Sequence, residues 1–166
     1  MPEERRLTGD EFRDVIGHFA SGVTIVTATE RDAPLGTTAS AVCSLSLEPP
    51  MVVVCMNRTS KTGQAIARVG RFAINVLAEH QQPLARHFAS KDPDKFAGLG
   101  TTAGATGAPL LDEAVAHLEC VVTDEVEGGT HTVFLAEVQA ATAHGGEPLA
   151  YFRGEFTALK RVPSNS

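Results

Sequence analysis

Asn57, Arg58, Thr59, Ser60, Lys61 and Thr62 follow directly on the apolar run 51–56 and lead into GQAIARVG. Free N–H groups at a helix start, with hydroxyls and an ammonium beside them, suit a phosphate. The same residues also read as an ordinary Ser N-cap with solvated Arg and Lys. The segment is not a P-loop, since G-x-x-x-x-G-K-[ST] is absent. Just upstream, GTTASAVCSLSLEPP (36–50) splits on alternate residues into Ala39, Ala41, Cys43, Leu45, Leu47 and Thr38, Ser40, Val42, Ser44, Ser46. A strand of period two would have one oily face and one face of small side chains, mostly hydroxyls. A flat ligand with polar edges could lie there, its phosphate reaching the neighbouring helix start.

Two further segments carry groups able to meet such a ligand. His131 follows Gly128-Gly129 at the start of a strand-like run, so its imidazole can point into a cleft; a turn histidine bonded to a carbonyl is the plainer reading. Tyr151, Phe152, Arg153 and Gly154 set an aromatic and a guanidinium beside a glycine, a combination suited to an anionic aromatic ligand or to a closing edge strand. His18, His80, His87, His117 and His144 show no H-x-H, H-E-x-x-H or partnered Cys spacing, so the sequence signals no metal. Neither a Ser-His-Asp order nor G-x-S-x-G signals a hydrolase.

The totals bound the rest. With 166 residues and 43% hydrophobic content, the chain is long enough for one domain (1–166, core about 10–160) with a real core. Fourteen basic against 20 acidic residues give a net charge of −6 without a basic run, which argues against nucleic acid as a partner. Cys43, Cys55 and Cys120 are odd in number and lie in apolar stretches, as buried free thiols of a reducing compartment do. No apolar run approaches the ~20 residues that span a bilayer, and the N-terminus lacks an apolar signal core. A cytoplasmic protein without a membrane partner is expected.

The elements that must position these groups follow from periodicity. Thr8-x-x-Glu11 is a capping-box spacing ahead of Phe12, Val15, Ile16 and Phe19, which predicts a helix over 8–21. Strands are predicted over 23–29, over the quoted segment up to Pro49-Pro50, and over 51–56, the last buried on both faces. A short helix over 57–70 ends at Gly70, residues 71–78 form a strand, and a helix starts near Pro83. Residues 92–109 read as a surface loop. Alternating strands over 114–126 and 130–141 flank a glycine turn, and 151–159 forms one more strand. Six or more strands without a regular βαβ rhythm predict a mainly β fold, a closed or nearly closed barrel with peripheral helices.

Taken in order, FRDVIGHFASGVTIVTA, GTTASAVCSLSLEPP, NRTSKTGQAI, RFAINVLAEHQQPLARHFASKDPDKFAG, GGTHTVFLAEV and YFRGEF resemble the flavin reductases of two-component monooxygenase systems, over about Phe12 to Leu159. The resemblance implies an FMN-binding split β-barrel, a homodimer, and NADH- or NADPH-dependent reduction of FMN, FAD or riboflavin for a separate monooxygenase. It implies that Gly36, Thr37, Thr38, Ala39, Ser40 and Ala41 border the flavin ring, that Cys55, Met56 and Asn57 run along its ribityl side, and that Ser60, Lys61 and Thr62 meet the phosphate. His87 and Phe88 would flank the cofactor, His131 would stand at the nicotinamide, and Tyr151, Phe152, Arg153 and Gly154 would contact the dinucleotide. The family's Gly-Asp-His turn corresponds to Gly129-Thr130-His131, a departure that keeps only the histidine. No Rossmann G-x-G-x-x-G is present, consistent with a dinucleotide that binds in the flavin cleft. Two alternatives use the same barrel: a module that retains FMN for electron transfer or sensing, and a pyridoxamine-phosphate-oxidase-like enzyme, which would leave His131 and Tyr151–Gly154 without evident use.

Overall fold

The computed structural model describes residues 5–164. Helix α1 (Gly9–Ile16) begins at the predicted cap: the Thr8 hydroxyl accepts from the Glu11 N–H, and the Glu11 carboxylate accepts from the Thr8 N–H. The chain then forms β1 (Ser21–Gly22), β2 (Thr24–Glu30), β3 (Ala33–Ala39), β4 (Val42–Leu47), β5 (Pro50–Asn57), α2 (Lys61–Val69) and β6 (Arg71–Val76). A single 3-10 turn leads into α3 (Gln82–Ala89), followed by β7 (Thr101–Ala103), β8 (Pro109–Leu111), β9 (Ala116–Gly128), β10 (His131–Ala143), β11 (Leu149–Phe152) and β12 (Glu155–Ala158).

Seven of these strands make one antiparallel sheet in the order β3-β2-β6-β9-β10-β5-β4. Its edge strands, β3 and β4, are consecutive in the chain, so the Ser40–Ala41 link joins the two edges and the sheet curls into a barrel. Residues 36–47 are therefore two strands rather than one. The break is a tight γ-turn, with the Val42 N–H donating to the Ser40 carbonyl at 3.0 Å. It occurs where the chain leaves its ladder with β2 for a ladder with β5, and the Cys55 N–H reaches the Ala41 carbonyl at 2.9 Å. Neither Gly nor Pro marks the spot, because the change of partner is tertiary.

The barrel interior is packed by Val26, Val54, Phe72, Ile74 and Phe134, and Ile66 seats α2 against it. Burial of each such side chain contributes roughly 1.5–3 kcal/mol. A second apolar cluster, Ile25, Leu77, Ala85, Phe88, Leu111 and Leu149, lies beneath α3. Between them the buried Asn75 amide donates to the Ile25 carbonyl at 2.9 Å and accepts from the Leu111 N–H at 2.7 Å. Cys120 lies in the interior, where burial and then Glu119 push its thiol pKa up to about 12. Strand β5 buries Val52, Val54 and Met56 and leaves Met51, Val53 and Cys55 half-buried, so one face only is inside this chain.

The final segment also divides. Residues 149–158 form a hairpin, with Arg153 and Gly154 at φ +49° and +80° in the turn. Two successive residues at positive φ are what a two-residue hairpin turn needs to match the twist of its strands. Within 92–109 the loop contains β7, which pairs with β8.

Candidate functional site

A groove of about 1040 Å³ opens where the barrel edges meet. Its floor is Ser40, Ala41, Val42 and Cys43 with Val53 and Cys55; one wall is the Ile16–Gly22 stretch after α1, and another is Tyr151, Arg153 and Gly154. The walls are tied together by backbone. The Arg153 N–H donates to the Gly17 carbonyl at 2.8 Å, and β1 pairs with β11 at Ser21–Tyr151 and Gly22–Ala150. A Cβ on Gly17 would sit 3.1 Å from the Arg13 carbonyl oxygen at the end of α1 and at an ordinary contact distance of 3.6 Å from Arg153 Cα in the hairpin turn, so the crowding that favours glycine comes from the helix end itself.

The groove offers a floor that a flat ligand can lie against, and its walls carry Arg13 and Arg153 together with Asp10 and Asp14. The floor is made of short side chains, and Ser40, Ala41 and Cys43 are exposed. Cys55 contributes an apolar neutral thiol: burial, with a smaller effect from Cys43, raises its pKa above the ordinary range. Arg13 is paired with Asp10 at 2.5 Å, whereas the Arg153 guanidinium pairs with no carboxylate among the described residues. Arg153 is thus the cation available to a phosphate.

A second cluster continues along the same sheet face. Cys55 and Asn57 are two apart on β5, so Asn57 lies roughly 7 Å further along. His131 is its direct partner on β10 and is half-buried. The Thr130 hydroxyl and His131 Nδ1 are 2.9 Å apart, and the Arg58 N–H donates to the Thr130 carbonyl at 3.0 Å. At the start of α2 the Ser60 hydroxyl accepts from the Gly63 N–H at 3.2 Å, and Asn57 Oδ1 accepts from the Thr59 N–H at 2.9 Å. Lys61 is exposed and Thr62 is buried.

The sequence-predicted residues thus separate into three groups. Ser40, Ala41, Cys55, Tyr151, Arg153 and Gly154 line the groove; Asn57, Ser60, Lys61 and His131 lie beyond it along β5 and the start of α2. The others are engaged elsewhere. Thr38 donates its hydroxyl to the Ala85 carbonyl of α3 at 2.6 Å, and Phe88 is fully buried against Phe96, directly over Gly36. His87 Nε2 donates to the Lys95 carbonyl, Met56 points into the barrel, and Phe152 stacks edge-on with His18. Thr37 pairs with Val26 and Ala39 with Thr24 on the barrel-facing side. The α1 wall, with Asp14, Ile16, Gly17 and Phe19, carried no site signal in the sequence beyond an apolar stripe whose partner was unknown.

Comparison with known proteins agrees with this architecture. The profile of the family described as "Flavin reductase like domain" matches residues 16–160. The reductase component of 4-nitrophenol 4-monooxygenase/4-nitrocatechol 2-monooxygenase from Rhodococcus opacus is 52% identical over 146 residues, 88% of this chain and 78% of that protein. Among solved structures, a nitrilotriacetate monooxygenase component B homologue from Mycobacterium thermoresistibile superposes with a TM-score of 0.89 at 36% identity, covering 95% of this chain and 91% of that one. The Streptomyces globisporus NADH:FAD oxidoreductase SgcE6, in complex with NAD and FAD fragments, gives a TM-score of 0.87 at 36% identity, with 98% and 100% covered.

Proposed function

The chain belongs to the flavin reductase family and is an NAD(P)H-dependent flavin oxidoreductase, and from that premise we propose that it reduces a diffusible flavin with NADH in the groove over Ser40–Cys43 and releases it to a separate monooxygenase. The observation that carries this reading is the open groove with small side chains on its floor and, on its wall, an Arg153 that pairs with no carboxylate among the described residues. Small-molecule pockets occupy about 300–1,000 Å³, so about 1040 Å³ has room for an isoalloxazine with a nicotinamide stacked on it. NADH is favoured over NADPH because the solved relative SgcE6 is an NADH:FAD oxidoreductase.

The donor set fits a flavin. Ser40 and Ala41 would take the ring face, Cys55 and Asn57 the ribityl side, Ser60 and Lys61 a phosphate, and Arg153 the dinucleotide. A flavin held by these residues would supply a hydride acceptor, N5, for nicotinamide C4. The protein's own part is to hold two rings in register and exclude water between them, an effect able to supply about 7–11 kcal/mol of a barrier. His131, steadied by Thr130, would orient the nicotinamide by a hydrogen bond from its imidazole. The exposed floor supports exchange of the flavin over retention as a fixed prosthetic group.

A homodimer is part of the proposal. Phe12, Val15 and Phe19 beside the groove are 54%, 67% and 78% exposed, and Leu47 is 92% exposed, an apolar surface that a second copy would cover. The test is to follow reduced-nicotinamide absorbance with NADH and NADPH, each with FMN, FAD, riboflavin or no added flavin. Saturable NADH oxidation that needs added flavin supports the reading. Turnover without added flavin, by yellow protein that keeps its colour through gel filtration, overturns release. His131→Ala should lower kcat by about 10²-fold with flavin binding retained; wild-type turnover in that variant removes His131 from the mechanism.

A further inference from the structure

At the end of the barrel where β9 begins and β10 ends, two histidines far apart in sequence meet. His117 Nδ1 and His144 Nε2 are 2.9 Å apart, with the rings at 72° and their centroids separated by 4.9 Å. They sit in a hollow of about 570 Å³ shared with Asp112 and Glu113, and none of its lining residues belongs to the flavin groove.

The hydrogen positions are fixed by elimination. His117 Nε2 lies 2.8 Å from the Leu111 carbonyl, which can only accept, so the proton of the neutral ring is on Nε2 and Nδ1 presents a lone pair. A carbonyl holding the rear N–H of an imidazole is the arrangement that orients metal-ligating histidines and fixes their tautomer. The lone pair of His117 points at His144 Nε2, and a neutral His144 can present a lone pair there as well by moving its single ring proton to Nδ1. No proton is released in that change. Two nitrogens on a tetrahedral ion with bonds of about 2.0–2.1 Å stand about 3.3 Å apart. The pair must open by a few tenths of an ångström and the two rings must tilt by about 70° in total so that both lone pairs converge on one point; His144, exposed and leading into Gly145 and Gly146, both at positive φ, is the ring free to make most of that movement.

We propose that His117 and His144 form a two-imidazole site for a divalent transition metal of the copper, nickel or zinc class. Among the described residues no group of three or more His, Cys, Asp or Glu side chains is set to hold a metal, so water completes the coordination. Asp112 and Glu113 lend the hollow negative charge, and His80 engages Glu113 from the other side at 3.3 Å. A bound ion would cross-link the open end of the long β9–β10 hairpin, just ahead of the strand that carries Tyr151.

The test uses chelator-stripped full-length protein titrated calorimetrically with Zn(II) and Cu(II), with electron paramagnetic resonance of the Cu(II) form. The expected result is one equivalent bound, Cu(II) tighter than Zn(II), and hyperfine splitting from two nitrogens. His144→Ala, at an exposed position outside the groove, and His117→Gln should each weaken binding by at least about 10–100-fold, the cost of losing even an outer partner of a metal site. Absence of saturable binding, unchanged affinity in His144→Ala, or loss of binding in His80→Ala with His144→Ala unaffected would overturn the assignment.

Discussion

Gly36–Thr38 and Ser40–Cys43 are neighbouring stretches of small residues with opposite fates. The first is roofed by α3: a Cβ on Gly36 would come within 2.7 Å of the Phe88 ring, and the Thr38 hydroxyl is spent on the Ala85 carbonyl. The second has no element above it among the described residues and forms the groove floor. Small side chains signal close approach, but only the element overhead decides whether a helix or a ligand approaches.

That contrast can be broken by mutation. Phe88→Ala should cost about 3–5 kcal/mol in chemical denaturation, because a fully buried aromatic leaves a cavity; a loss below about 1 kcal/mol would show that Phe88 serves the groove rather than the core. Gly36→Ala should cost about 1–3 kcal/mol by overpacking, seen as a fall in Tm with flavin KM unchanged. Thr38→Val should cost about 0.5–1.5 kcal/mol by removing the hydroxyl's bond to the Ala85 carbonyl, which keeps its donor within α3. On the other stretch, Ala41→Leu should move stability by no more than about 0.5 kcal/mol yet raise the flavin KM by about tenfold, and an unchanged KM would remove Ala41 from the flavin floor.

Thiol labelling sharpens the contrast at the smallest scale. A raised thiol pKa means less thiolate at any given pH, so alkylation should become appreciable only as pH climbs toward the raised value. Exposed Cys43 should therefore react first with iodoacetamide at mildly alkaline pH, Cys55 more slowly, and Cys120 only on unfolding. Mass spectrometry of timed digests reads the order, and flavin should protect Cys43 and Cys55 alone.

Local chemistry made some of this readable before any fold was known. Thr8 with Glu11, Ser60 at the start of α2 and Gly70 at its end all behave as their types require, with Gly70 at φ +71°. The β-rich barrel followed from alternation and from missing βαβ spacing. What stayed hidden depends on partners distant in sequence. The γ-turn at Ser40 reflects an exchange of ladders, and the β11–β12 turn uses Arg153 at φ +49°, where Asn or Gly would have announced a hairpin. Alternation along β9 slips near Thr123 because of a bulge, which leaves Val126 47% exposed. The groove wall after α1 depends on the Arg153–Gly17 bond and on the two-residue pairing of β1 with β11, contacts distant in sequence that no periodicity encodes.

The Ser40–Ala41 link that closes the barrel also sets a timetable for synthesis. The hairpins β2–β3 and β4–β5 are complete early, yet in the sheet they are held apart by β6, β9 and β10. The nascent chain must therefore display an unfinished sheet until residue 143 has left the ribosome, and hairpin β11–β12 arrives later still. The groove, assembled from the first and last parts of the chain, is among the final features to form, and a product truncated before residue 149 would lack its Tyr151–Gly154 wall.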